Sequence, residues 1–369
     1  MKLLPSNKNA GIALIVVMIA IAGLSVLAIR FAFAMKIETR LAINADSEQQ
    51  MLWLGRAGVE TARWLLAQEL ANGSAPYDSL DQVWAGGQGG PGETNSVLSG
   101  FSLDNIPVGD PQKGGGTISL KIIDCERMVN INTASPMQIQ QVLTVMGVSA
   151  DRSSVVVDSI ENWVNPEIAA RPAGAESDYY QGLIPPYYAK NAPMDDLSEL
   201  LLVKGVTWNM YNGGGGDDEG NQTQPVFHNK LGFSRSSDDG PYPFGLKDVF
   251  TPISTGRINI NTADANVLQS LPGVDAQIAQ DIINQRNGLD GGDGTPYRNV
   301  GQLQAAGLNP QVVGQMNQLC DVRSHTFEVH ITAQIGSYQR EYVALLLRNS
   351  PSDIQVVGFY WINKTANGG

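Results

Sequence analysis

The stretch ENWVNPEIAARPAGAESDYY, residues 161–180, concentrates oxygen ligands: Glu161, Asn162, Asn165, Glu167, Glu176 and Asp178, set among prolines and glycines that make tight turns. Hard cations such as Ca2+ take about six to eight oxygens from loops of this kind, backbone carbonyls included. The stretch lacks EF-hand spacing, and in an acidic chain a solvated acidic loop is the plain alternative. The three histidines, His228, His325 and His330, build no shared site. His325 and His330 are five residues apart in a strand pattern and face opposite sides, while His228 stands alone in a loop region. No G-x-S-x-G elbow, Walker loop, Cys-x-x-Cys or HExxH motif occurs. A binding or structural protein is expected, not an enzyme.

A second chemistry is raised by repetition. NINTA occurs at residues 130–134 and again at 259–263, each time followed by a helical pattern, a glycine turn (Met146-Gly147-Val148; Leu271-Pro272-Gly273-Val274) and a second helix. This is an internal duplication of a helix-hairpin-helix unit. Thr133 and Thr262 are placed to cap the first helix of each copy, whose starting turn also carries Ser135 or Asp264. A looser third copy is DDLSELLLVKGVTWNMY, residues 195–211. Such hairpins can grip DNA backbone through turn N–H groups and nearby Lys or Arg. From Gly256 to Val322, however, the cations Arg257, Arg286 and Arg298 face six aspartates, one of them Asp275 in the turn itself. Phosphate contacts require cations to release counterions, so the hairpins read as packing units, with a membrane-anchored DNA-binding protein as the alternative.

The chain has 369 residues with net charge −12, 40 Gly and 19 Pro, enough for two or three compact domains besides an anchor. Its acidity disfavours non-specific nucleic-acid binding. Cys125 and Cys320 are its two cysteines. They either pair, as an oxidising compartment permits, or remain two buried thiols; sequence alone leaves both open.

Several elements must position these groups. GTISLKIID (116–124) alternates Ile118, Leu120 and Ile122 on one face as a strand. HTFEVHITAQI (325–335) and YQREYVALLLR (338–348) form a hairpin about Gly336-Ser337, and DIQVVGFYWI (353–362) follows as a last strand. Residues 73–115 and the glycine-rich stretch 212–225 read as loops. At the N-terminus Lys2 and Lys8 precede Ile12–Ile29, a run without charge in which Ser25 is the polar exception. That run approaches the roughly 20 residues needed to cross a bilayer, and the basic leader places the N-terminus in the cytoplasm. Helical spacing continues through Met51, Leu54, Gly58, Ala62, Leu65 and Leu66 to about Leu70, before Asn72-Gly73-Ser74. The helix is then about 90 Å long. Two alternatives remain: a signal peptide cut after Ala32-Phe33-Ala34 to leave Met35, or a plain uncleaved anchor. The order of anchor helix, strands, helical region and closing strands gives an α+β fold.

A basic leader, a Gly before the cut and a long helix half in lipid resemble the type IV prepilin plan. Together with the NINTA hairpins, GAESDYY, DDLSELLLVKGV and the closing strands, nearly the whole chain is similar to the K-type minor pseudopilins of bacterial type II secretion, the general secretion pathway. That resemblance implies cleavage by prepilin peptidase between Gly11 and Ile12, and a type IV pilin-like helix and sheet interrupted by SAM-like helix-hairpin-helix domains. The implied segments are leader 1–11, transmembrane helix 12–35, pilin-like helix and strands 36–124, helical domains 125–255 and 256–322, and closing strands 323–369. Further implied are minor pseudopilins I and J as partners at a pseudopilus tip, an inner-membrane assembly platform, and a single-pass inner-membrane protein with a periplasmic body. Calcium in the helical domain is implied as well, with Asn165, Glu167, Glu176 and Asp178 as ligands; asparagines stand where the family often has Asp, which lowers the charge available to a cation. Val16 occupies the fifth mature position, where pilins carry Glu.

Overall fold

The computed structural model describes residues 10–71, 75–89, 97–110, 115–166, 171–214, 241–288 and 294–362. The leader to residue 9, Glu167, His228 and the glycine-rich loop from residue 215 lie outside the described residues. Helix α1 runs unbroken over Ala10–Ala71, 62 residues. Its last turns lie on a five-stranded antiparallel sheet of β1 (Ile106–Val108), β2 (Gly116–Asp124), β7 (Thr326–Ile335), β8 (Tyr338–Ser350) and β9 (Asp353–Ile362), in the order β1-β2-β7-β8-β9. Met51, Leu54, Ala62, Leu65 and Leu66 are buried against Ile118, Leu120, Ile122, Val329, Ile331 and Leu346, the faces expected from the two periodicities. Gly58 and Gly55 let the helix approach this closely: a Cβ on Gly58 would stand 2.4 Å from Ile331 Cγ2, and one on Gly55 2.8 Å from the Tyr342 ring. The glycines that weaken the helix as a helix are what seat it on the sheet.

Between the hydrogen-bonded neighbours β2 and β7 the chain makes a helical excursion with its own core. It consists of two modules built alike. The first opens with β3 (Val129–Asn130), continues through α2 (Pro136–Val145), α3 (Ala150–Val164), α4 (Ser177–Gln181), a 3-10 helix at Leu197–Leu202, α5 (Trp208–Asn212) and α6 (Leu246–Val249), and closes with β4 (Phe250–Thr251), parallel to β3. The second opens with β5 (Ile258–Asn259), continues through α7 (Ala265–Leu268), α8 (Ala276–Asn287), a 3-10 helix at Val300–Ala306 and α9 (Pro310–Leu319), and closes with β6 (Cys320–Asp321), parallel to β5.

Each module contains two hairpins. Gly147 and Gly205 turn the first pair and Gly273 and Gly307 the second, all with φ between 73° and 90°. The hairpin at Gly307, between the 3-10 helix at Val300–Ala306 and α9, has no counterpart among the three hairpins read from the sequence. The caps also differ from expectation. Ser135 Oγ accepts the Gln138 N–H and Asp264 Oδ1 the Val267 N–H, so these residues cap α2 and α7 in place of Thr133 and Thr262.

Candidate functional site: anchor, junction and acidic loop

Three places on this frame carry polar or membrane chemistry. The first is the exposed part of α1. Leu14–Thr39 is long and apolar enough to cross a membrane, and none of it is covered by the body. Ile12 and Val16 are exposed on this bare helix. The Ser25 hydroxyl donates to the Ile21 carbonyl at 2.8 Å, which satisfies the one polar side chain of the 12–29 run within the helix. Gly11 is helical, inside α1.

The second place is the end of the sheet remote from that span, where the helical excursion joins it. Arg348, 1% exposed, donates to the Asp78 carboxylate and to the Ser324 and Leu66 carbonyls. Asp124, closing β2, accepts from Ser324 Oγ at 2.6 Å, Thr262 Oγ1 at 2.5 Å and Asn259 Nδ2 at 3.3 Å through Oδ2, and from the Glu126 N–H at 2.8 Å through Oδ1. Glu126, fully buried, accepts N–H bonds from Thr255, His325 and Thr326. Burial, reinforced by Glu126, pushes the Asp124 carboxyl up to about 7. Thr262, expected as a cap, instead ties the second module to the strand before the first. A buried charge that loses its partner is strongly destabilising, so this cluster fixes the helical modules on the sheet.

Cys125 and Cys320 are free, buried thiols, the first after β2 and the second opening β6. Of the two alternatives open in the sequence, this structure therefore has unpaired cysteines. Burial pushes both thiols up, Cys320 to about 12, which removes the thiolate needed for reactivity.

The third place is the acidic loop. Glu176, the residue before α4, is buried, and neither carboxylate oxygen finds a hydrogen-bond donor among the described residues. Burial raises its carboxyl above the usual range. Asn191 stands beside it, outside hydrogen-bonding geometry, with its own Oδ1 unpartnered. The Ala192 N–H bonds the Trp163 carbonyl, and the Ala189 N–H bonds Ser177 Oγ, which ties the 189–192 turn to the end of α3 and the start of α4. Asp178 is exposed. Glu161 is taken by Arg171 at 2.8 Å.

Among the described residues no three His, Cys, Asp or Glu side chains come together as a metal cluster. The donors that converge are one carboxylate and one amide, which fits a hard cation completed by carbonyls and water. Asn191 was missed from sequence because it lies outside the acidic run; its positive φ of 48° has no sequence signature beyond being Asn. The His pair separates as expected: His325 lies just before β7, and His330 sits between Glu328 at 2.6 Å and Glu341 at 3.3 Å.

The hairpins offer little to phosphate. Asp275 Oδ1 takes the Ile278 N–H at the start of α8, and a Cβ on Gly273 would stand 3.2 Å from Val312. At this turn the Val274 N–H is likewise engaged, by the Leu271 carbonyl at 3.2 Å.

Geometry and chemistry thus define a class: an α+β protein whose long apolar N-terminal helix lies along an antiparallel sheet that carries a hairpin-rich helical insertion. The comparisons with known proteins narrow it. The family model for type II secretion system protein K matches residues 118–213, and one for the helix-hairpin-helix motif matches residues 254–320. The chain is 25% identical to protein K of Aeromonas hydrophila over 214 residues, 56% of this chain and 61% of that relative. To the Pectobacterium carotovorum protein it is 25% identical, over 66% of this chain and 69% of the other; to that of Pseudomonas aeruginosa, 22% over 75% and 72%. The fold resembles a solved structure of the GspK-GspI-GspJ complex from the enterotoxigenic Escherichia coli type 2 secretion system, with TM-score 0.60 and 20% identity, over 87% of this chain and 98% of that one. The chain is thus similar to the protein K family of type II secretion, and it spans about three fifths of the length of the first curated relatives it matches, 61% in each case.

Proposed function

We propose that the chain is a minor pseudopilin that initiates and caps the pseudopilus of a type II secretion system, in complex with minor pseudopilins I and J. One observation carries the reading: the helical modules attach at the end of the sheet farthest from the membrane span, through the Asp124–Ser324–Asn259 cluster. A subunit built this way can rest its helix and sheet on neighbours below, while its bulk obstructs addition above. The solved relative in a K-I-J complex supports the choice of partners. The pilin-like helix and sheet hold the filament contact, the SAM-like hairpin modules form the cap, and the body stands on the periplasmic side with Lys2 and Lys8 in the cytoplasm. Prepilin peptidase cuts between Gly11 and Ile12, and the assembly platform of the inner membrane receives the mature chain. Where calcium binds, Glu176 and Asn191 hold it, with Asn165 and Asp178 at the rim; the ion supplies positive charge to an unpartnered buried carboxylate. No residue of the hairpins is assigned to DNA or to catalysis.

Co-expression of the full chain with candidate I and J subunits tests the assignment. A complex that survives detergent extraction and gel filtration is expected, with Ile12 as the mature N-terminus. A chain that purifies alone, or one that begins at Met35, overturns it.

A further inference from the structure

Arg286 is a buried charge that the second module leaves unanswered. It lies in the last turn of α8, at the end remote from the Gly273 hairpin, and is 7% exposed. Its Nη1 donates to the Ile260 carbonyl at 2.7 Å, while Nε is shut away from solvent with no acceptor. After burial, the strongest influence on it is another arginine, Arg127, and the two together pull its pKa down to about 10. Asp264 and Tyr297 oppose this with smaller effects. The Asp264 carboxylate caps α7 through the Val267 N–H, and the Tyr297 hydroxyl donates to Gln285. At neutral pH Arg286 therefore stays charged inside the fold, with one donor unpaired and a like charge nearby.

Arg127 ends the 3-10 turn Cys125–Arg127 that follows β2. Its neighbour Glu126 is fully buried and takes three backbone N–H groups. The Arg127 side chain is instead partly exposed and makes no hydrogen bond or ion pair among the described residues. The turn packs on β5, and Ile260 is the residue that follows β5. An interior charge without a partner is costly, yet none of the 36 carboxylates of the chain is paired with either arginine among the described residues. A guanidinium offers a planar fork of donors that matches an oxyanion in a charge-assisted, bidentate contact. Two guanidiniums balance a doubly charged one.

We infer that Arg127 and Arg286 together bind one small oxyanion of the phosphate or sulfate type, at the seam between the turn after β2 and the second helical module. Arg286 forms the floor of the site and Arg127 its solvent-facing side. The bound anion ties the turn to the end of α8 and so adds to the seating of the module on the sheet. A nucleic-acid phosphodiester, singly charged and flanked by sugars, suits this depth poorly. The inference goes beyond the assembly reading and does not depend on it.

The test titrates full-length protein in detergent micelles with sodium phosphate, against sodium chloride at matched ionic strength, by calorimetry and thermal melting. One phosphate per chain is expected, displaced by sulfate, with a melting midpoint that rises by a few degrees toward saturation as mass action requires. Arg127→Gln is the deciding variant, because the Arg127 side chain makes no bond that the fold needs. In chloride this variant should melt at or above the wild type, since a like charge beside Arg286 is gone. Its phosphate affinity should be about tenfold or more weaker, the worth of one hydrogen bond to a charged group, and Arg127→Lys should fall between. No phosphate binding beyond the chloride control, an unchanged affinity in Arg127→Gln, or a lower chloride midpoint for that variant would each overturn the inference. Displacement of the phosphate by a short DNA duplex would overturn it as well, by assigning the two charges to nucleic acid.

Discussion

Asn132 and Met194 exchange two hydrogen bonds across 62 residues of sequence: Asn132 Oδ1 accepts the Met194 N–H at 2.7 Å, and its Nδ2 donates to the Met194 carbonyl at 3.0 Å. Asn261 and Tyr297 repeat the exchange in the second module at 2.8 and 2.9 Å. In both cases the clamped residue stands two positions before the N-cap of the module's second hairpin, Asp196 or Asn299. The preceding NINTA asparagine is likewise reused: Asn130 and Asn259 each accept the N–H two residues on, at 2.9 Å. The repeated pentapeptide is thus a device for holding two hairpins together, and its duplication duplicates a whole module.

Removing one clamp should be costly in proportion to its burial. Asn261→Ala strands the Tyr297 N–H and carbonyl in a site 1% exposed, and each buried orphan costs about 1–3 kcal/mol. A loss of roughly 2–4 kcal/mol is expected in urea unfolding, and a smaller one for the half-buried Asn132→Ala. Equal, sub-kilocalorie losses would mean that the modules are held by packing alone.

The glycines of α1 make a sharper contrast. Gly58→Ala gains about 1 kcal/mol of helix propensity but drives a Cβ to 2.4 Å from Ile331. Overpacking of this kind costs about 1–3 kcal/mol, so a net fall in melting temperature is expected. Gly23, with nothing within 4 Å, should accept Ala without loss. A stabilised Gly58→Ala would show that helix and sheet are not in the close contact described.

Much of this was legible in the residues. The helix to Leu70, the strand at 116–124 and the closing hairpin follow from periods of 3.6 and 2 that tertiary packing reinforces. The two NINTA copies were visible, but not what Asn132 and Asn261 do, because hydrogen bonds spanning 62 and 36 residues leave no local pattern. For the same reason the buried cluster of Asp78, Asp124 and Arg348 was missed: three charges scattered among 60 look like surface until the fold buries them. Of the proposed calcium ligands, Glu176 alone is both described and left with orphaned oxygens, and its neighbour Asn191 comes from outside the acidic run.

His330 gives a pH dependence with a definite sign. Both ring nitrogens face carboxylates, Glu328 and Glu341, and carboxylates only accept, so the arrangement requires imidazolium. Hydrogen bonding to Glu328, with Glu341 adding, raises its pKa above 6.5 against the opposing effect of burial. A folded-state value above the unfolded one means that His330 stabilises fully below pH 6.5 and loses that contribution as pH rises through the folded value. Wild type minus His330→Gln in unfolding free energy should therefore shrink on going upward from pH 6.5. Asp124, also raised, contributes a falling stability between its unfolded value of 3.8 and about 7, but it is common to both proteins and cancels. A pH-independent difference would remove the ionic role of His330.

On the proposed function, Val16 bears on where the subunit sits in the filament. It lies exposed on a bare helix in a run with no charge from Ile12 to Ile29. A carboxylate at the centre of a membrane helix costs about 2.5–3.5 kcal/mol on insertion scales, and the resemblance to pilins implies that theirs is retained to pair with the N-terminal amine of a subunit already in place. The first subunit of a filament has no such neighbour, so its carboxylate would keep the desolvation penalty without the ion pair. Val16→Glu is accordingly expected to lower recovery of the complex with I and J and to reduce exoprotein release, with Val16→Gln intermediate because a neutral amide is cheaper to bury. Quantifying secreted exoprotein alongside detergent-extracted complex checks this. If the Glu variant assembles and secretes like the wild type, the missing carboxylate has nothing to do with position at the tip, and the helical modules alone must set it.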